Sequence, residues 1–263
     1  MTRILVIVQN LPVPFDRRVW LECQALVSAG HQVAVVCPKG DGDPAYQVID
    51  TVELYKYRPY APGGSKIGFV TEYAYSFLAT AWLTLRARRS GRFGVIQACN
   101  PPDIFWPIAL VLRAIDRTRF VFDHHDLCPE LYQSRFPDGP KLPYRALRAL
   151  ERRTHRTANH VISTNDSYRN VAVTRSGKSV TDVTVVRTGP DPQRLRRGPA
   201  HPELRRGRDP LTGRRSAPDC YAFPINHRSD EQTGNLKQIW EISRLEHVTL
   251  QATAPFHTPE EAG

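Results

Sequence analysis

The chain has 263 residues, of which 41% are hydrophobic and 24% charged, so it can bury a core and is neither a low-complexity nor a collagen-like sequence. Its formal charge of +10 favours an acidic partner: a phosphate-bearing substrate, an anionic membrane or a nucleic acid. The five cysteines are scattered and lack C-x-x-C spacing, which argues against a zinc site or a disulfide framework and fits a reducing cytosol.

In chain order, Arg3 to Val8 (RILVIV) is an aliphatic run of the kind buried on both faces of a sheet. A loop with two prolines follows, from Gln9 to Phe15. Asp16 is then placed to cap a helix that carries Val19, Cys23, Leu26 and Val27 and stops at Gly30. Gln32 to Cys37 is the next buried strand, completing a βαβ unit. Val52 to Tyr57 reads as a third strand and Ala61 to Gly64 as a loop. Gly68 to Arg89 reads as a long helix with an aromatic face (Phe69, Tyr73, Phe77) and a basic end. Its apolar run, Tyr73 to Leu85, is too short and interrupted to span a bilayer. No signal peptide is expected at the N-terminus, and the chain is expected in the cytoplasm.

Val95 to Cys99 is a strand ending at Asn100-Pro101-Pro102-Asp103, followed by a buried helix containing Ile104, Phe105, Ile108, Val111 and Leu112. Phe120 to Phe122 is a fifth strand that turns abruptly polar: Asp123, His124, His125, Asp126. Four ionisable groups at the end of an apolar strand are costly unless they line a cleft, which in an open α/β sheet lies beyond the carboxyl ends of the strands. Glu130 follows Pro129 at a helix start. Tyr144 to Thr157 is a strongly basic helix. His160 to Thr164 and Val183 to Val186 are further strands, with a helix between them that opens at Asn165-Asp166-Ser167 and ends near Gly177. Alternating βα units imply a Rossmann-like, parallel, doubly wound α/β sheet over residues 1–191. Residues 192–263 are punctuated by Arg, Pro and Gly and are expected to be a poorly structured tail.

The order RILVIV, LPVPFDRRVWLECQALVSAGHQVAVVCP, VIQACNPPD, FVFDHHDLCPELY, HVISTND and VVRTGPD resembles the N-terminal, acceptor-side half of a family-4 glycosyltransferase of the GT-B fold. The resemblance covers about residues 3–191. It implies retaining, nucleotide-sugar-dependent transfer of a hexosyl group to a glycan or lipid-linked acceptor. The nucleotide-sugar is a co-substrate, and no metal or other cofactor is expected. It implies that His125 lies near the reacting centre, since the family's common pattern there is D-x-H-D. It also implies that the loop Leu11 to Arg18 approaches the donor phosphates and that Thr188 to Asp191 is a hinge. Many relatives carry a Gly-Gly pair in that loop, where this chain has Pro12, Pro14 and Asp16-Arg17-Arg18. Residues 192–263 show neither the Gly-rich start nor the E-x7-E pair of a donor domain. The expectation is a truncated enzyme with little or no activity alone, or a non-catalytic module that pairs with a separate donor-domain chain.

For each candidate a plainer reading stands beside the functional one. His125 and Asp126 are the catalytic candidates, since an imidazole can donate a hydrogen bond or orient a sugar at neutral pH; they could also simply cap the next helix. Asp123 and His124 are expected to support them by hydrogen bonding. Asn100 and Asp103 either face the same cleft or form a turn and a helix start. Asp16, Arg17 and Arg18 either neutralise phosphate at a helix N-terminus or are a cap with two solvated arginines. Glu130 is a substrate-side candidate or a dipole-compatible surface residue. The basic helix carrying Arg145, Arg148, Arg152, Arg153 and Arg156 either touches an anionic membrane at the inner face, bearing a lipid-linked acceptor, or is a solvated basic face. A dinucleotide site is disfavoured, because the first strand is followed by QNLPVPF and not G-x-G-x-x-G. A nucleic-acid role is disfavoured by the lack of a reading motif.

Overall fold

The computed structural model describes residues 1–60 and 66–187. The expected loop at Ala61 to Gly64, the hinge at Thr188 to Asp191 and the tail from residue 192 lie outside the described residues. The first half runs β1 (Arg3–Ile7), α1 (Arg17–Ser28), β2 (Gln32–Pro38), β3 (Tyr46–Ile49), β4 (Val52–Tyr57) and α2 (Lys66–Arg88). Then come β5 (Val95–Cys99), α3 (Trp106–Asp116), β6 (Arg119–His124), α4 (Cys128–Arg135) and α5 (Lys141–Thr157). The described part closes with β7 (His160–Ser163), α6 (Asp166–Ser176), a single 3-10 turn and β8 (Val183–Val185).

The eight strands form one sheet in the order β3-β4-β2-β1-β5-β6-β7-β8. All pairings are parallel except β3 with β4. This is a Rossmann-like, doubly wound α/β sheet. The winding reverses between β1 and β5: the chain leaves β1 toward β2 and returns through α2 to place β5 on the other side. Such a reversal opens a crevice beyond the carboxyl ends of the two strands.

Both faces of the sheet are covered, which is why its strands are apolar on both sides. α1 packs Val19 and Cys23 against Val6, Val33, Val35 and Leu54. On the opposite face Leu83 and Ala87 of α2, Ile108 and Leu112 of α3 and Ala172 of α6 cover Leu5, Ile96, Phe120, Phe122 and Val161. The outward side of α2 leaves Leu78, Trp82 and Leu85 exposed, with the Arg86 guanidinium 5.7 Å above the Trp82 ring.

Several ends obey local chemistry. The Asp16 side chain accepts from the Val19 amide at 3.2 Å and caps α1. Asn165 does the same for α6 through the Tyr168 amide, and Gly177 ends α6 in the left-handed region. Two expectations are corrected. The edge strand β3 was not anticipated and runs antiparallel to β4 through a two-residue turn, Asp50-Thr51, with φ of 47° and 67°. The fifth expected strand does not stop at Phe122: β6 continues to His124, so Asp123 and His124 are strand residues.

Candidate active site

The ends of β5 and β6, with helix α1, bring the polar residues together. Cys99 of β5 pairs in register with Asp123 of β6, and Asn100 follows directly. Side chains alternate along a strand, so Asp123 and His124 face opposite sides of the sheet. Asp123 turns toward α1. There its carboxylate accepts from Arg18 Nη2 at 3.0 Å and meets His125 Nε2 at 2.5 Å. Asp123 is fully buried, while the His125 side chain keeps 18% of its exposure. His125, and Arg18 at 13%, are therefore the members of the trio that keep a solvent-facing edge.

Burial opposes ionisation of Asp123, but the hydrogen bond and charge of His125, with Arg18, outweigh it and hold the carboxyl below the usual range. An ionised Asp123 can only accept, so the His125 nitrogen facing it carries the proton. The neutral ring then keeps its lone pair on Nδ1, and the protonated ring offers a second donor.

The loop that carries His125 is held by Asn100. Its Oδ1 accepts from the amides of His125 (2.5 Å) and Asp126 (3.1 Å), and its Nδ2 donates to the Asp126 carbonyl at 2.6 Å. Asn100 is 2% exposed. Its role is thus to fix the backbone that aims His125.

Two members of this cluster were missed in the sequence. Glu22 of α1 pairs with Arg18 at 3.2 Å and accepts from Gln97 Nε2 at 2.8 Å. Burial and then the nearby Asp123 charge push Glu22 up to about 7, against the pull of Arg18 and Gln97. The i, i+4 spacing of Arg18 and Glu22 was the only legible signal. Cys99, Asp123 and His125 bring one ligand atom each within 4.8 Å of one another, the one such metal-compatible group among the described residues. Their chemistry fits a cation poorly: the Arg18 guanidinium already sits on the carboxylate, and burial holds the Cys99 thiol protonated.

The remaining candidates separate. Asp16 is the α1 cap, Arg17 is exposed, and Arg18 turns inward to Asp123 and Glu22. Asp126 is held through its backbone. Asp103 is 4% exposed; burial, then the charge of Glu151, pushes its carboxyl up to about 7, and its carbonyl accepts from Thr154 Oγ1. His124 does not support His125. It faces the other side of the sheet, where it meets the His155 ring at 4.7 Å and lies 3.8 Å from Glu151. Burial lowers His124 to about 4 and His155 to about 2, so both rings are neutral. Glu130 likewise turns to that side, where Arg175 of α6 bridges it to the buried Glu151.

A doubly wound, mostly parallel sheet with a His–Asp–Arg cluster at its strand ends defines a Rossmann-like domain. Residues 16–194, more than half of the chain, match the model of Glycosyltransferase Family 4. The chain belongs to that family. No curated protein matches it. Among solved structures it is similar to sucrose-phosphate synthase from Thermosynechococcus elongatus, with a TM-score of 0.56 at 14% identity over 73% of this chain and 49% of that one. It is also similar to apo UGT2 of Phytolacca americana, with a TM-score of 0.48 at 11% identity over 72% of this chain and 52% of that one. The chain thus spans about half the length of these structures. No helix among the described residues is long and apolar enough to cross a membrane.

Proposed function

We propose that this chain supplies the acceptor-side site of a retaining glycosyltransferase that moves a hexosyl group from a nucleotide-sugar to a glycan or lipid-linked acceptor without a metal ion. Family membership sets the reaction class, and the Arg18–Asp123–His125 relay at the crevice carries the assignment of the site. Asp123, ionised and buried, fixes the orientation and proton of His125. His125 then orients a substrate hydroxyl beside the forming oxocarbenium-like centre by a hydrogen bond from its exposed edge. Asn100 holds the loop at the geometry this requires.

The test is transfer of labelled sugar from UDP-, GDP- and ADP-sugars, by the purified chain alone and with a separately expressed donor domain of a family-4 enzyme. The anomeric configuration of the product is read by NMR. The expected result is a product of retained configuration, insensitive to EDTA, with His125→Ala lowering the rate by about a hundredfold or more, the usual scale for a lost acid–base or hydrogen-bonding group. No transfer from any donor under either condition, or equal rates for the parent and His125→Ala, overturns the reading.

A further inference from the structure

α4 and α5 do not close on one another. Between them lies a groove of about 570 Å³, walled by Tyr132 of α4 and its C-cap Phe136, by the turn at 137–140 and by α5. That volume suits a small organic ligand. From α5 the groove is lined by Lys141, Arg145, Arg148 and Arg152, spaced i, i+4, i+7 and i+11, which places them on one helical stripe. No acidic side chain lines it.

These four cations differ from the arginines that the fold pairs with acids. Arg175, which also borders the groove, is engaged by Glu130 and Glu151. Arg88 is engaged by Asp116 and Arg18 by Asp123. Lys141, Arg145, Arg148 and Arg152 are exposed and form no ion pair among the described residues. Like charges at i, i+4 cost a helix a few tenths of a kcal/mol per pair, so the stripe brings no stability of its own. On a convex surface it would be a solvated face. Here it lines a concavity, where like charges concentrate their field on one volume.

The opposite wall is built, not incidental. The Tyr132 and Phe136 rings pack at 5.3 Å, and the Tyr132 hydroxyl donates to the Pro140 carbonyl at 3.2 Å. A Cβ at Gly139 would lie 2.9 Å from both Phe136 Cβ and the Tyr132 hydroxyl oxygen. The turn therefore approaches the aromatic wall as closely as a glycine permits.

We propose that this groove binds a phosphate ester: a phosphate or diphosphate held by Lys141, Arg145, Arg148 and Arg152, carried on a sugar-sized group that packs against Tyr132 and Phe136. The guanidinium fork matches phosphate oxygens, and flat apolar rings suit the carbon face of a sugar. Only the ligand's biological role rests on the glycosyltransferase reading, under which it is the phosphate-bearing part of the acceptor. The phosphate can come from a soluble sugar phosphate or from a lipid headgroup.

The test is calorimetric titration of the intact chain with inorganic pyrophosphate, glucose 1-phosphate and glucose, beside flotation with phosphatidylglycerol and phosphatidylcholine vesicles. Two phosphate-bearing probes, pyrophosphate and glucose 1-phosphate, are expected to bind, and glucose is not. Arg145→Gln with Arg148→Gln is expected to weaken binding by about tenfold or more, the scale of one lost charge-assisted hydrogen bond. Arg86→Gln with Arg89→Gln, an exposed pair at the C-terminal end of α2 and just beyond it, is expected to leave it unchanged. All four positions are exposed, so far-ultraviolet circular dichroism of both variants is expected to match the parent. Binding of the soluble ester that the α5 pair weakens assigns the phosphate to a free ester. Binding confined to phosphatidylglycerol vesicles, and weakened by the same pair, assigns it to a headgroup. No binding of any phosphate probe, or equal weakening by the α2 pair, overturns the proposal. Neither readout depends on turnover, so this result and that of the transfer assay are separable.

Discussion

Asn100→Ala is the most informative single change in the candidate site. The side chain makes three hydrogen bonds, two accepted from the His125 and Asp126 amides and one donated to the Asp126 carbonyl, at a position 2% exposed. Alanine removes all three and leaves buried backbone groups without partners. At about 1 kcal/mol net per hydrogen bond the loss is about 3 kcal/mol. For a domain of this size that is a fall in Tm of about 6–12 °C. Urea unfolding at neutral pH measures it, with an unchanged m-value showing that the same surface is exposed. Hydrogen exchange supplies a local readout: the His125 and Asp126 amides are expected to lose protection first. A loss below about 1 kcal/mol, with those amides still protected, would refute the view that Asn100 holds the loop. Asn100→Asp keeps the oxygen that accepts both amide hydrogen bonds but loses the donor to the Asp126 carbonyl and adds a buried charge, so it is expected to be no more stable than alanine.

The pH dependence has two opposed parts. Glu22, raised to about 7, binds its proton more tightly folded than unfolded, so its contribution falls as pH rises from about 4.5 to 7. Glu22→Gln is expected to stabilise the protein at pH 8 by on the order of 2 kcal/mol and to do little at pH 4.5, as followed by urea midpoints at the two pH values. His124 and His155 work the other way. Their folded pKa values are depressed, so stability is lost as pH falls below the unfolded value of about 6.5, by about 2 kcal/mol each at pH 5. NMR titration is expected to show both rings neutral at pH 5, and a protonated ring there would contradict their burial. Thr51→Gly is expected to raise the urea midpoint by about 1 kcal/mol of stability, because a β-branched residue is strained at φ 67° in a two-residue hairpin turn.

Much of the sheet was readable because doubly buried strands leave unbroken apolar runs such as RILVIV and QVAVVC. The capped helices were readable where a cap is a local event, as at Asp16, Asn165 and Gly177. Strand β3 was not, because it is a short edge strand with alternating exposure and its turn, Asp50-Thr51, lacks the glycine that marks such hairpins. The polar end of β6 drew attention to this region, and Asn100, Arg18, Asp123 and His125 do come together around it. Their division of labour was not legible. Arg18 meets Asp123 across 105 residues and Glu22 meets Gln97 across 75, contacts that only the sheet order creates. The reading of FVFDHHD set His125 apart from His124 by the family pattern alone; because it ended the strand at Phe122, it did not assign the two rings to opposite faces.

The strand that ends in Asp123 and His124 serves two neighbourhoods at once, and this makes its length, more than its composition, the quantity that is fixed. A single inserted or deleted residue between Arg119 and His125 would trade the occupants of the two faces. A deletion ahead of Asp123 would drive the His124 imidazole under Arg18, and an insertion there would leave the Asp123 carboxylate beside Glu151. A substitution at Val121, by contrast, disturbs one face only. An insertion at 136–138, beyond the end of α4 and outside the sheet, would spare that register and act instead on the turn that walls the α5 groove.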